Sequence, residues 1–250
     1  MTDIASVLVD KDSIPSPIGA TGLGGSDNGS KTLLELVSCQ NPVALHQEIS
    51  RQQSLLSQQR AKAENLKRLG IAWHNIAVTE TAGAAKHAQG WLQQASRAAP
   101  SDYEAMAFLG SANTMVARDA WNPATKARLV NRGVQLLDRA VRMAPNNVSV
   151  RIARMMNSLA LPAFLGRGAK VREDLLQLNG PLAEQIPHPV LAAELSFRLG
   201  ELMQHEGRTK RALDLFQQAR AQAPDSHWAQ RAAHNCRSLT EHKDATGRIG

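Results

Sequence analysis

Residues 199–224 read LGELMQHEGRTKRALDLFQQARAQAP, and their small, aromatic and turn-forming residues have the spacing of two helices joined by a tight turn. Gly200 lets the two helices approach closely, and Gly207 supplies the positive φ angle of the turn between them. Ala212 is small enough for a contact between helices, and Phe216 fills the core. The stretch therefore predicts a helix–turn–helix unit that ends at a proline.

Weaker versions of the same unit occur earlier in the chain. They keep helical periodicity and small residues at the expected contacts, but they have extra residues or lack the Leu-Gly pair. The weaker units are residues 69–100, with an insertion at 79–86; residues 109–145, with an insertion at 116–130; and residues 148–178, without a Leu-Gly pair.

The pattern resembles the tetratricopeptide repeat (TPR), most clearly at residues 193–224 and in degenerate form over roughly residues 62–235. The resemblance implies an all-α solenoid, a right-handed superhelix of about four helix pairs. It also implies a non-catalytic protein–protein interaction module, an adaptor, scaffold or assembly factor that binds a peptide or protein in the groove of the repeats. A dedicated chaperone or maturation factor for one enzyme or secreted substrate is the alternative. A third possibility, from a different functional class, is an enzyme whose site lies in the insertion at 79–86 or at 116–130.

The chain divides by composition into four segments. A helix starts at Thr32, and after the break at Asn41-Pro42 one long amphipathic helix is predicted from Pro42 to Leu69. An apolar tip at residues 4–9 is either a frayed end or a docking peptide. The predicted segments are a disordered arm and linker at 1–31, N-terminal helices at 32–61, the repeat domain with its capping helix at 62–239, and a disordered tail at 240–250.

Composition narrows the class of protein. The chain is 43% hydrophobic but only 4% aromatic, and runs of strand-forming residues are absent, which favours an all-α fold. Its two cysteines, Cys39 and Cys236, lack the spacing of a metal site. No apolar run reaches the ~18 residues of a membrane span, and the sequence does not begin like a secretory signal. We therefore expect a cytoplasmic protein without metal or other cofactor and without a membrane partner.

Net charge is the one unusual global property, at +7. Residues 1–60 carry four basic and six acidic side chains, a net −2, which leaves +9 on the rest of the chain. Such an excess favours an acidic partner. Because no basic run, zinc knuckle or base-reading motif accompanies it, a nucleic-acid partner is the less favoured interpretation.

Catalytic motifs are absent from the sequence, and the candidate sites are binding sites. Lys67 and Arg68 beside Asn75 resemble the basic-plus-Asn arrangement with which TPR clamps hold a peptide carboxylate, and the alternative is a solvated helix start. The break at Pro162 is either a simple turn or a shaped notch. The predicted groove residues are Lys67, Arg68, His74, Asn75, Ser111, Arg118, Phe197, Glu201 and His205, and the predicted notch residues are Arg151, Arg154, Phe164 and Arg167.

Overall fold

A computed structural model describes residues 32–58, 62–79, 83–186 and 188–246 of the chain. The predictions for the arm at 1–31, including its apolar tip, lie outside the described residues. Eleven α-helices and two single turns of 3-10 helix, with no strand, make up this described part. The helices are α1 Leu33–Val37, α2 Pro42–Ser57, α3 Ala63–Val78, α4 Ala84–Ala98, α5 Tyr103–Asp119, α6 Pro123–Met143, α7 Val148–Ala160, α8 Gly168–Leu178, α9 Pro189–His205, α10 Thr209–Gln222 and α11 His227–Thr246; the 3-10 turns are Ala163–Leu165 and Ala183–Gln185.

Neighbouring helices pack as consecutive antiparallel pairs. The most extensive contacts are α3 with α4, α5 with α6 and α9 with α10, and each pair also contacts the helix next to it in the chain. This arrangement confirms the predicted all-α helical-repeat fold. By its contacts the chain forms two compact units, divided between Asn157 and Ser158, and each is described by itself below.

Side-chain caps explain where several helices begin. The Thr32 hydroxyl accepts a hydrogen bond from the Glu35 backbone N–H, and the Glu35 carboxylate accepts one from the Thr32 N–H, which is a capping box. Asn41 caps α2 with Pro42 in its first turn, as predicted. In the same way, Asp102 and Asn122 cap α5 and α6. These helix starts are therefore specified by local sequence.

In the first unit, two glycines let α5 and α6 touch backbone to backbone. A Cβ atom on Gly110 would lie 2.7 Å from the carbonyl oxygen of Gly133, and one on Gly133 would lie 2.6 Å from the carbonyl oxygen of Gly110. Contacts this short do not occur with real Cβ atoms, so only glycine permits this approach at both positions.

In the second unit, the α9–α10 pair has the predicted internal geometry. A Cβ on Gly200 would lie 2.6 Å from the Phe216 ring, and Gly207 has a φ of 72° in the turn. Ala212 and Phe216 are fully buried. The α11 helix covers the end of this pair and contributes Trp228 to the core. It begins at a side-chain cap, where Ser226 accepts a hydrogen bond from the Ala229 N–H.

Three predicted boundaries are wrong. The long helix from Pro42 to Leu69 is two helices, because α2 ends at Ser57 and α3 begins at Ala63. The supposed insertion at 116–130 is mostly helix, since α5 and α6 are longer than expected and leave only residues 120–122 between them. The capping helix does not end near residue 239, as α11 continues to Thr246.

Candidate functional site

Lys67 is predicted to line a groove, but its ammonium group is buried among carboxylates of its own chain. The Lys67 Nζ lies 2.8 Å from Glu64, 3.1 Å from Asp102 and 3.0 Å from Glu104. Burial by itself lowers the pKa of Lys67, but the hydrogen bond to Glu64 and the charges of Glu104 and Asp102 outweigh it, so the pKa is raised. Lys67 is therefore a permanent cation that links α3 to the start of α5.

Arg68, the second predicted clamp residue, is also buried and paired. Its Nε donates to Glu48 of α2 over 2.7 Å, and the same carboxylate oxygen accepts a hydrogen bond from Gln52 over 2.9 Å. The pair is inaccessible because Arg68 and Glu48 are both buried. Lys67 and Arg68 therefore do not line an open groove as predicted, nor do they form a solvated helix start, because carboxylates of the chain itself cover and pair them.

Asn75 satisfies the end of helix α1. Its Nδ2 donates to the carbonyl oxygens of Leu36 at 2.8 Å, Val37 at 3.3 Å and Cys39 at 3.1 Å. The last carbonyls of a helix lack partners within the helix, and Asn75 provides a donor for them. The amide that was predicted to hold a peptide therefore binds the chain's own backbone.

A row of hydrogen bonds continues from Asn75 across α3, α5 and α7. His74 Nδ1 lies 3.0 Å from Asn75 Oδ1, and His74 Nε2 lies 2.8 Å from Ser111 Oγ. The Asn157 amide donates to both Ser111 and Thr114. Since Asn75 Oδ1 can only accept, we assign the proton of His74 to Nδ1. We call Asn75, His74, Ser111, Thr114 and Asn157 the polar ladder.

The polar ladder is closed to solvent, because all five side chains are buried. Burial lowers the pKa of His74, and the hydrogen bond with Asn75 opposes it only partly. His74 is therefore neutral at physiological pH, which suits its role as a donor on one nitrogen and an acceptor on the other. The predicted groove positions His74, Asn75 and Ser111 thus join neighbouring helices instead of facing a ligand.

The other arginines of the first unit that were predicted as site residues differ in exposure. Arg118 is more than a third exposed and pairs with Asp119 at 2.9 Å. Arg151 donates to the carbonyl oxygen of Pro145, and Arg154 lies 3.6 Å from Asp138. Both of these predicted notch arginines are buried. Among the predicted site residues of this unit, Arg118 alone is exposed.

In the second unit, Phe197 is a core residue, so its predicted place in the groove is wrong. Its ring packs 5.5 Å from those of Phe216 and Trp228, and the guanidinium of Arg231 lies 4.7 Å above it. Arg231 also pairs with Glu201 at 3.3 Å. Glu201 and Arg231 are partly exposed, and His205 lies partly exposed at the end of α9.

The break at Pro162 forms a turn that displays an aromatic ring. Phe164 lies on the single 3-10 turn and is 85% exposed, while Arg167 at the start of α8 donates to Ser158 over 3.4 Å. In the first unit, Trp121 stands in the short connection before α6 and is 91% exposed. Exposed rings of this size are typical anchors of protein interfaces.

Sequence reasoning missed the outer side of α6. Arg128, Arg132, Arg139 and Arg142 are all exposed and follow one another at spacings of four, seven and three residues. Such spacings place side chains on one face of a helix, and this regular pattern was readable in the sequence. We call these four arginines the α6 basic face.

Comparison with known proteins identifies the architecture. The structure is similar to the crystal structure of a thermophilic TPR protein from Thermus thermophilus, with a TM-score of 0.54 over 79% of this chain and 93% of that chain, at 19% sequence identity. The fold is that of a TPR array. No protein-family model matches the sequence, and a search of curated proteins finds no match. The similarity therefore supports the fold and does not identify a partner.

The described residues contain no group of three or more His, Cys, Asp or Glu side chains placed to hold a metal ion. None of their helices is both long enough and apolar enough to cross a membrane.

Proposed function

We propose that this chain is a non-catalytic protein-interaction module, an adaptor, scaffold or assembly factor that acts in the cytoplasm. The observation that carries the proposal is the series of consecutive helix pairs with the TPR fold. Helix pairs of this kind present extended surfaces to other proteins. The alternative role, a dedicated chaperone or maturation factor, uses the same surfaces on an unfolded client.

The contact points follow from exposure. Trp121 in the first unit and Phe164 in the second unit are the two most exposed large hydrophobic side chains described. Of the predicted groove, Arg118, Glu201 and His205 keep exposed area, whereas the buried residues of the polar ladder act indirectly by holding the helices in place. We therefore place partner contacts at the exposed rings and at these outer positions.

Photo-crosslinking from inside the native cell tests this proposal. A benzophenone amino acid replaces Trp121 in one variant and Phe164 in another, and the control variant carries it at Gln218, an exposed polar position on α10. We expect one protein to be captured repeatedly at a ring position and not at Gln218. Many unrelated nascent chains would support the chaperone role instead. No adduct at either ring would refute an interaction through these surfaces.

A further inference from the structure

The largest group of exposed basic side chains described in the first unit lies on α6. This helix carries five basic side chains, all exposed, and one acidic one, Asp138, which lies 3.6 Å from the buried Arg154. By contrast, Lys67 and Arg68 on α3 are buried and neutralised by carboxylates. The other exposed basic residues described in this unit are spread over different elements: Arg51, Lys62, Lys86, Arg97 and Arg118.

The α6 basic face is regular and points away from the core. Arg128 and Arg142 are fourteen residues apart, which at 1.5 Å per residue is about 21 Å along the helix. Gln135 fills the gap in the middle of the stripe, and the opposite side of α6 is buried through Gly133, Leu137 and Ala140. None of the four arginines forms an ion pair with any other residue that the structure describes.

Such a face differs from an ordinary solvated helix surface. Solvated helices commonly alternate the sign of their charges, because opposite charges three or four residues apart stabilise the helix and like charges destabilise it. Arg128 with Arg132, and Arg139 with Arg142, are like-charged pairs at these distances. Repulsion within these two pairs is left on the surface of α6, and a ligand of opposite charge would remove it.

We propose that the α6 basic face docks an acidic helix of a partner protein. Arg132 and Arg139, and likewise Arg128, Gln135 and Arg142, repeat every seven residues. Seven residues is the interval at which two helices lying side by side present the same face to each other. Guanidinium groups bind carboxylates through two parallel hydrogen bonds, so glutamates at the matching spacing would engage each arginine in turn.

A single-stranded nucleic acid is a less suitable ligand for this surface. Proteins that bind single strands combine basic grooves with aromatic side chains on which bases stack. The 21 residues of α6 include no aromatic residue, and Trp121 before the helix is a single exposed ring and not a row of stacking platforms. This inference rests on the proposed function, because it names the partner class of the same interaction module.

Fluorescence anisotropy with a synthetic probe tests the docking site on the full chain. The probe is a labelled helical peptide with four glutamates at the spacing of the arginines, and the comparison peptide has the same composition with its glutamates spread around the helix. We expect the matched peptide to bind about tenfold more tightly than the comparison peptide, and its affinity to fall as salt shortens the screening length below ~10 Å.

Charge variants locate the site. R128E/R132E/R139E/R142E should weaken binding of the matched peptide by at least about tenfold. The control R97E/K210E/R211E/R237E makes the same total charge change at exposed positions outside α6 and should bind like the parent. Circular dichroism checks the fold, and if the reversed variant unfolds, the four Arg→Gln changes replace it with the same expected loss.

Three results would overturn the proposal: equal binding of the two peptides, an equal loss in the control variant, or tighter binding of a single-stranded oligonucleotide of matched charge. The last would assign the face to nucleic acid. If the peptide fails while Trp121 or Phe164 still crosslinks one protein, the interaction function stands and only the assignment of the α6 face is lost. If both fail, the function falls as well.

Discussion

Replacing Gly110 with alanine should destabilise the first unit, although alanine is the better helix former. The new Cβ would lie 2.7 Å from the carbonyl oxygen of Gly133 and 3.0 Å from the Leu137 side chain. A backbone oxygen cannot rotate out of the way, so α5 and α6 must move apart. Overpacking of this kind costs about 1–3 kcal/mol.

A second glycine supplies the control for this prediction. Gly90 on α4 is exposed, and a Cβ added to it would meet nothing within 4 Å. Gly90→Ala should therefore gain the helix-propensity difference of about 1 kcal/mol. Because Gly110→Ala has the same propensity gain, the difference between the two variants isolates the steric cost, about 1–3 kcal/mol.

Urea unfolding followed by far-ultraviolet circular dichroism measures this difference. The transition midpoint should fall for Gly110→Ala and rise for Gly90→Ala, with the slope of free energy against urea unchanged in both. Equal stability of the two variants would show that the backbones of α5 and α6 do not touch at Gly110, and the packing described for this pair would be wrong.

Three further changes test the core of each unit. Below about pH 6.5, residue 74 binds a proton in the unfolded chain but not in the folded chain, where burial lowers the pKa of His74. The melting temperature should therefore fall as pH falls, and His74→Gln should remove that part of the pH dependence. Lys67→Met leaves three carboxylates without their cation and should cost up to about 3 kcal/mol at pH 7, and less in acid, in chemical denaturation. Ala212→Leu should cost about 1–3 kcal/mol in the second unit, whereas exposed Ala221→Leu should leave its melting temperature unchanged.

Local residues made the α9–α10 pair predictable from sequence. Gly200 contacts the ring of Phe216, which lies in the next helix along the chain, Gly207 has a positive φ in the turn, and Ala212 is buried. Their roles follow from side-chain size and backbone freedom. The helix break after α2 was missed because the residues from Ser57 to Ala63 contain no glycine or proline to mark it. A continuous polar helix was therefore the natural interpretation.

The groove prediction failed where partners come from far along the chain. Helix register placed Lys67 and Asn75 in a groove along α3, but it gave no information on what covers them. Glu104 is 37 residues from Lys67, and the carbonyl of Leu36 is 39 residues from Asn75. Long-range hydrogen bonds between polar side chains have no periodic signature, so the distinction between an open groove and a buried polar contact lies in the tertiary structure.

The polar ladder also bears on how this array is able to evolve. Repeat proteins commonly grow or shrink by duplicating or deleting a repeat, since each apolar interface resembles the next. Here the step from α3 to α5 requires a histidine facing a serine, and the step from α5 to α7 requires an asparagine facing that same serine and Thr114. A duplicated α5–α6 pair would place serine against serine, where the native interface has His74 against Ser111. The polar ladder therefore opposes duplication or reordering of these pairs, whereas the outer side of α6 takes no part in it.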